Sequence, residues 1–225
     1  MRIALYLLLA LSLLVVGPAA ATGDRRPPAE EFHYRWHLGK LLGVVAGLFF
    51  PSNGDGLLTF QPSGDGTLRT ELLITSEKSR EGEHWRYGSK IDLATGYALE
   101  AWSSYLWRGK EKAKQAQIDG EEVVDVASAI YQLRQDPPER PRSLEIWSDG
   151  KTYPVVVIPV GQETRTVAGH RVETRHYSVR GVQQPGERRW KGELELWFAQ
   201  DEAATPVEIF IERSMAGVRL ELTSY

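Results

Sequence analysis

Residues 193–222, ELELWFAQDEAATPVEIFIERSMAGVRLEL, decide the fold class. Leu194 and Leu196 alternate with Glu193, Glu195 and Trp197. Val207, Ile209 and Ile211 alternate with Glu208, Phe210 and Glu212, and Val218, Leu220 and Leu222 close the chain on the same period. A strand turns successive side chains to opposite faces, so an apolar period of two marks a half-buried strand, whereas a helix needs apolar residues three and four apart.

The same period extends toward the N-terminus. Phe32, Tyr34 and Trp36 share one parity, and His33, Arg35 and His37 the other. Leu72 and Ile74 alternate with Leu73 and Thr75, and Trp85, Tyr87, Ser89, Ile91 and Leu93 form a further set. Val155, Val157 and Pro159 alternate with Val156 and Ile158, a run apolar on both faces. Asn53-Gly54-Asp55-Gly56, Gly64-Asp65-Gly66, Asp149-Gly150 and Ala216-Gly217 read as turns, because Gly, Asn and Asp tolerate positive φ. Strands joined by such short turns must pair antiparallel.

One segment departs from the pattern. Within 123–134, Val126, Ile130 and Leu133 have helical spacing, Asp125 suits the N-cap, and Arg134 suits the last turn, where a cation meets the negative end of the helix dipole. Pro137 and Pro138 stop any continuation. The expected architecture is therefore mainly β: a strongly curved antiparallel sheet forming a partial or full barrel, partly wrapped round one short helix.

The N-terminus reads as a cleavable secretory signal over residues 1–21: Arg2, the apolar run Ile3–Val16, the breaker Gly17-Pro18, then Ala19-Ala20-Ala21. A flexible leader is expected over 22–31 and a single β-rich domain over 32–225, with no transmembrane segment once the signal is removed. The expected location is the periplasm. The formal net charge of −3 offers no electrostatic footprint for nucleic acid. With no cysteine, disulfides and thiolate metal sites are excluded.

The sequence yields no catalytic residue, metal site or cofactor site. His33 and His37 would make a metal pair on a helix, but four residues along a strand span roughly 13 Å. His84, His170 and His176 stand alone, and Glu193 and Glu195 read as the solvated side of an amphipathic strand. No nucleophile elbow, zinc-protease motif or phosphate-cradling loop is present. The surplus lies in the aromatics: Trp102, Tyr105 and Trp107 fall within six positions and, with Tyr131, are the candidate ligand-binding residues. Aromatics also fill curved-sheet cores, so both readings stand.

The spacing Asp125-x-x-Ser128-x-x-Tyr131-x-x-Arg134 resembles the most distinctive stretch of a bacterial family of exported proteins known as a domain of unknown function, numbered in the three-thousand-one-hundreds. Phe32-x-Tyr34-x-Trp36, Gly47, Trp197-x-x-x-Asp201, Pro206-Val207 and Gly217 fit the same resemblance in order, with Ala199 in place of an expected Ser. It implies a periplasmic β-rich domain and no particular activity. Asp125, Ser128, Tyr131 and Arg134 carry a structural expectation, as a seam between helix and sheet. The functional expectation is a non-catalytic binding protein for a lipid or other apolar envelope component. Its alternatives are a cell-envelope assembly or interaction factor with a protein partner and no small ligand, and an unrecognised hydrolase.

Overall fold

The computed structural model describes residues 27–38, 53–77, 83–186, 188–213 and 216–225. The expected signal over 1–21, the first part of the expected leader and Gly47 lie outside them. The chain forms β1 (Glu30–Leu38), β2 (Asn53–Gly64), β3 (Thr67–Ser76), β4 (His84–Asp92), β5 (Ala98–Trp107), β6 (Lys110–Gln117) and β7 (Val123–Val124). Helix α1 (Val126–Gln135) follows, then β8 (Arg142–Ser148), β9 (Lys151–Val167), β10 (His170–Gly181), β11 (Gly192–Ala199), β12 (Pro206–Arg213) and β13 (Ala216–Leu222). β1 starts at Glu30, so the last two residues of the expected leader are strand.

One 13-stranded sheet runs in the order β6-β5-β4-β3-β2-β1-β13-β12-β11-β10-β9-β8-β7. Strands that follow one another pair antiparallel, except that β6 and β7 do not pair and β7–β8, joined through α1, pair parallel. The first and last long strands lie side by side at the centre, with Tyr34 opposite Leu222 and Trp36 opposite Leu220. The expected parity holds: Tyr34, Trp36, Leu58, Leu72, Ile91, Leu194, Leu196, Ile209 and Leu220 all point to one buried concave face.

α1 fills the interior. Every residue from Val126 to Arg134 is buried, polar ones included, so the helix has no solvated side. It packs on β3, β4, β7 and β11, which places it across the trough from wall to wall. A single ten-residue helix suffices because the sheet rolls around it instead of lying flat beneath it.

The roll ends in an overlap, not a hydrogen-bonded closure. β6 and β7 remain the two ends of the strand order. On β7 and β8, Val124 and Ile146 join the main core, while Val123 and Trp147, of opposite parity, pack beneath Ala101 with Ala116 and Ile118. The concave side of β5–β6 thus covers the convex side of β7–β8. Ile118 N donates to the Leu99 carbonyl within the covering layer, and Ser103 Oγ donates to Asp149 of the β8–β9 turn across the overlap. A groove of about 200 Å³ runs along the overlap between Ile118–Gly120, Glu145 and Lys151.

Two of the expected turns prove to be strand. Asn53–Gly56 lies in β2, where a Cβ at Gly54 would run into the Thr75 carbonyl and the Trp36 indole, and one at Gly56 into Leu220. These glycines make room for large concave-face neighbours; neither bends the chain. Ala216 and Gly217 belong to β13, with Ala216 paired to Arg213, and Gly217 leaves space for the Phe210 ring. Gly64-Asp65-Gly66 and Asp149-Gly150 are turns as read, each residue at positive φ.

Candidate functional site

The aromatics divide into two groups. Trp102 is on the convex face of β5. It lies over Gly88, its partner on β4, with the Arg69 guanidinium 4.1 Å above the ring and Nε1 donating to Glu71 at 3.3 Å. Tyr105 and Trp107, of odd parity like buried Ala101 and Ser103, are on the concave face. The expected grouping of Trp102 with Tyr105 and Trp107 is therefore corrected: the pleat separates neighbours in sequence onto opposite sides. Tyr131 is also displaced from the expected set, because it is 7% exposed and packs edge-on to Phe60 at 5.3 Å in the helix-level core.

Tyr105 and Trp107 instead join Trp85 and Trp36. Trp85 stacks on Trp107 with centroids 5.5 Å apart, tilts against Tyr105 at 6.1 Å and meets Trp36 edge-on at 6.4 Å. Trp36 is fully buried and anchors the group, its Nε1 donating to the Thr75 carbonyl at 2.6 Å. Trp85, Tyr105 and Trp107 are only half-buried. They occupy the end of the concave face where β5 turns into β6. Register fixes this arrangement: Trp85 is opposite Tyr105, and Tyr105 opposite Lys112.

The helix ends carry the Asp125–Arg134 spacing, and both are internal locks. Asp125 is 2% exposed. Its carboxylate accepts from Ala127 N at 3.1 Å, Ser128 N at 2.9 Å, Ser128 Oγ at 2.7 Å and Ser89 Oγ at 2.7 Å. Ser128 Oγ in return accepts from Asp125 N at 2.8 Å, completing a capping box with serine in the third position. Because Ser89 gives its hydroxyl proton to Asp125, the Thr70 hydroxyl has the Ser89 Oγ at 3.0 Å and the Ser89 carbonyl at 3.4 Å as acceptors. Burial raises the Asp125 carboxyl above its ordinary range, against the pull of these donors.

At the other end, the Arg134 side chain is 3% exposed. It forks onto both Glu30 oxygens at 2.9 and 3.0 Å, donates twice to the Ala203 carbonyl at 3.2 and 2.9 Å, and lies over the rings of Phe32 and Phe60. Tyr34 donates to the Pro206 carbonyl at 2.7 Å, and burial raises its hydroxyl well above the ordinary range. Asp201 accepts from Thr205 N and Oγ1 to hold the same turn from outside. Residues singled out in three separate sequence stretches (Phe32 and Tyr34, Arg134, Asp201 and Pro206) thus meet at one joint.

A third assembly lies on the convex face of β9–β13. His176 stacks on Trp197 at 4.3 Å and 14°, its Nε2 2.6 Å from Glu195 and its Nδ1 3.2 Å from Glu163. Arg165 lies 4.2 Å from the centre of the Trp197 ring, and Trp197 Nε1 donates to Glu163. Ser178 Oγ donates to Glu195 at 2.7 Å, with Arg180 alongside at 3.3 Å. Two expectations are corrected here. Glu195 is 8% exposed and so is not on a solvated face, and His176 has carboxylate neighbours. No local spacing could have indicated this, because the β10–β11 register brings His176 opposite Trp197 from 21 residues away. His33 and His37, on the convex side of β1, lie 3.9 Å from Glu31 and 4.0 Å from Glu221.

Burial pushes the Glu195 carboxyl up, but the hydrogen bonds from His176, Ser178, Glu193 and Arg180 outweigh it and hold the group at about 2, against an ordinary 4.5. A lowered folded value stabilises the fold above the ordinary value and is lost as pH falls through the folded one. Glu195→Gln is therefore expected to cost about 2–3 kcal/mol at neutral pH. That difference from the native chain should shrink between about pH 4.5 and 2, measured by urea unfolding at stepped pH. A difference that stays constant across this window would contradict the assignment.

An antiparallel sheet rolled about a buried helix, overlapping at its edges and leaving aromatic rings half-covered at one end, defines a β-barrel-like domain. The chain belongs to the family described as "Protein of unknown function (DUF3108)", whose model matches residues 63–223. Asp125, Ser128, Tyr131, Arg134, Trp197, Asp201, Pro206 and Gly217 lie inside the matched segment, and Phe32–Trp36 and Gly47 precede it. Among solved structures, the chain is similar to the beta-barrel-like protein of domain of unknown function DUF1849 from Brucella abortus. Identity there is 8% and the TM-score 0.48, covering 88% of this chain and 96% of that one. No curated protein matches the chain. Among the described residues, no helix is long and apolar enough to cross a membrane.

Proposed function

We propose that the protein is an exported, non-catalytic binding protein of the bacterial cell envelope, acting in the periplasm, whose ligand surface is the concave aromatic end of the sheet. One observation carries this reading. Trp85 stacks on Trp107 and tilts against Tyr105 on the face that elsewhere forms the core, yet all three stay partly exposed. Pre-stacked rings at the mouth of a trough suit an apolar chain or a ring face, which gains contact area without ordering flexible side chains. Leu38, Tyr87 and Val218, also partly buried, widen the apolar surface.

This reading differs from a barrel that encloses its ligand. α1 fills the middle of the trough, so the ligand would lie against the end of the sheet and not within its centre. The groove along the overlap, at about 200 Å³, is smaller than the roughly 300–1,000 Å³ of ordinary small-molecule sites.

The test is a titration of the purified protein with dodecyl maltoside monomers, followed by tryptophan emission, together with native mass spectrometry for a co-purified apolar ligand. A blue shift that saturates is expected, and the Tyr105→Ser/Trp107→Ser double variant should weaken it at least tenfold while circular dichroism stays unchanged. No emission change and no co-purified ligand would overturn the reading. Repeated recovery of one envelope protein on the native chain, lost in the double variant, would favour an assembly factor using the same surface.

A further inference from the structure

The strand that borders the aromatic end is unusual in its charge. β6, Lys-Glu-Lys-Ala-Lys-Gln-Ala-Gln over 110–117, is exposed along almost its whole length and ends the sheet. Lysines on an edge strand discourage pairing with another sheet, and for that purpose either face would serve. Here all three are on one parity. The β5–β6 register puts Lys110 opposite Trp107, Lys112 opposite Tyr105 and Lys114 opposite Ser103. Directly opposed residues in an antiparallel pair have Cβ atoms about 4.5–5.5 Å apart, so the Lys110 and Lys112 stems rise from the concave side beside a ring and the Lys114 stem beside Ser103. The convex side of the same strand carries Glu111, Ala113, Gln115 and Gln117.

Lysines two apart on a strand are roughly 7 Å apart along the backbone, so the row is three like charges in line. Among the described residues, no ion pair joins a carboxylate to Lys110, Lys112 or Lys114. Lys114 lies along the β8–β9 turn, its stem against Gly150, which leaves Lys110 and Lys112 facing the aromatic end. The nearby Glu83 carboxylate is 6% exposed and accepts from Arg108 N at 2.7 Å, and the Arg108 side chain lies 5.7 Å from the Trp107 ring. Among the described residues, this end of the trough is therefore apolar on one side and cationic on its rim.

We propose that the ligand of this surface is a single-chain amphiphile with an anionic headgroup, its apolar part on Trp85, Tyr105 and Trp107 and its phosphate or carboxylate on Lys110 and Lys112. The inference rests on the aromatic end being the ligand surface and adds the charge of what binds there. An apolar chain alone gives no reason for the lysines to share the face of the rings. A free anion gives no reason for the rings to stay partly exposed. Together the two features match a molecule with both parts in one chain. The headgroup attraction acts across solvent and weakens with added salt.

The experiment compares three probes on the full mature protein below their micelle thresholds: dodecyl phosphate, dodecyl maltoside and inorganic phosphate, at low salt and in 0.5 M salt. At low salt, dodecyl phosphate is expected to bind about tenfold tighter than dodecyl maltoside, as two exposed charge contacts would give, and the advantage should vanish at high salt. K110Q/K112Q should remove the same advantage and leave dodecyl maltoside binding unchanged, which also reports an intact fold. Equal binding of both amphiphiles to the native chain, or dodecyl phosphate binding unaffected by K110Q/K112Q, would overturn the anionic assignment alone. Inorganic phosphate binding as tightly as dodecyl phosphate would overturn the amphiphile in favour of a free anion. Failure of both amphiphiles to change tryptophan emission would overturn the ligand surface itself.

Discussion

Arg134→Ala is expected to lower the unfolding free energy by about 3–5 kcal/mol, the cost of breaking a buried ion pair from one side. Arg134 is the joint between three segments distant in sequence. Its fork ties the end of α1 to Glu30 at the start of β1, and two further donors hold the Ala203 carbonyl before β12. Alanine would leave that carbonyl without its donors, and would leave space between the rings of Phe32 and Phe60. Glu30 is 31% exposed and can turn to water, which keeps the loss from rising further. Arg134→Met fills most of the space, so it should recover about 1–2 kcal/mol of the loss. Urea unfolding followed by tryptophan emission measures both, and hydrogen exchange should show β1 opening first in the alanine variant. A loss under about 1 kcal/mol would mean that the pair behaves as a surface ion pair.

Asp125→Ala is expected to cost about 2–4 kcal/mol, more than an exposed cap, whose loss costs about 1. Four donors converge on this one carboxylate, and two of them, Ser89 Oγ and Ser128 Oγ, are buried with it. Removing the acceptor leaves those hydroxyls and the first N–H groups of α1 unpaired in the core. Asp125→Asn separates the contributions. An Asn oxygen can keep the three donors that meet Oδ1, but its amide would face Ala127 N. Asn should therefore lose only about 1 kcal/mol. Equal losses for Ala and Asn would show that charge, and not the number of donors met, sets the role of Asp125.

Much of the fold was legible because period-two alternation is local. The concave set of Tyr34, Trp36, Leu72, Ile91, Leu194, Leu196, Ile209 and Leu220 follows from parity alone, as does the helix from Asp125 and the spacing of Val126, Ile130 and Leu133. Glycine misled where its role was space: Asn53–Gly56 has the composition of a turn, but its glycines make room for Trp36 and Leu220, which are close only across strands. Nearness in sequence misled at Trp102, Tyr105 and Trp107, although the parity argument used elsewhere would have divided them. Lys110, Lys112 and Lys114 also show their shared parity in the sequence, but the position of Lys110 and Lys112 beside the rings depends on the β5–β6 register.

Alone, the sequence determined what a residue's immediate neighbours can enforce: strand against helix, the antiparallel sense of short connections, which face of each strand is apolar, and where the one helix is capped. Tertiary structure decided what depends on register and on how far the sheet rolls. It buried the helix on every side, overlapped the sheet edges, placed His176 on Trp197 beside Glu195, and left the rings of Trp85, Tyr105 and Trp107 partly exposed. The physical reason is range, since side-chain alternation is set by the covalent geometry of adjacent residues. Register and curvature are instead set by the sum of packing contacts between segments far apart in the chain.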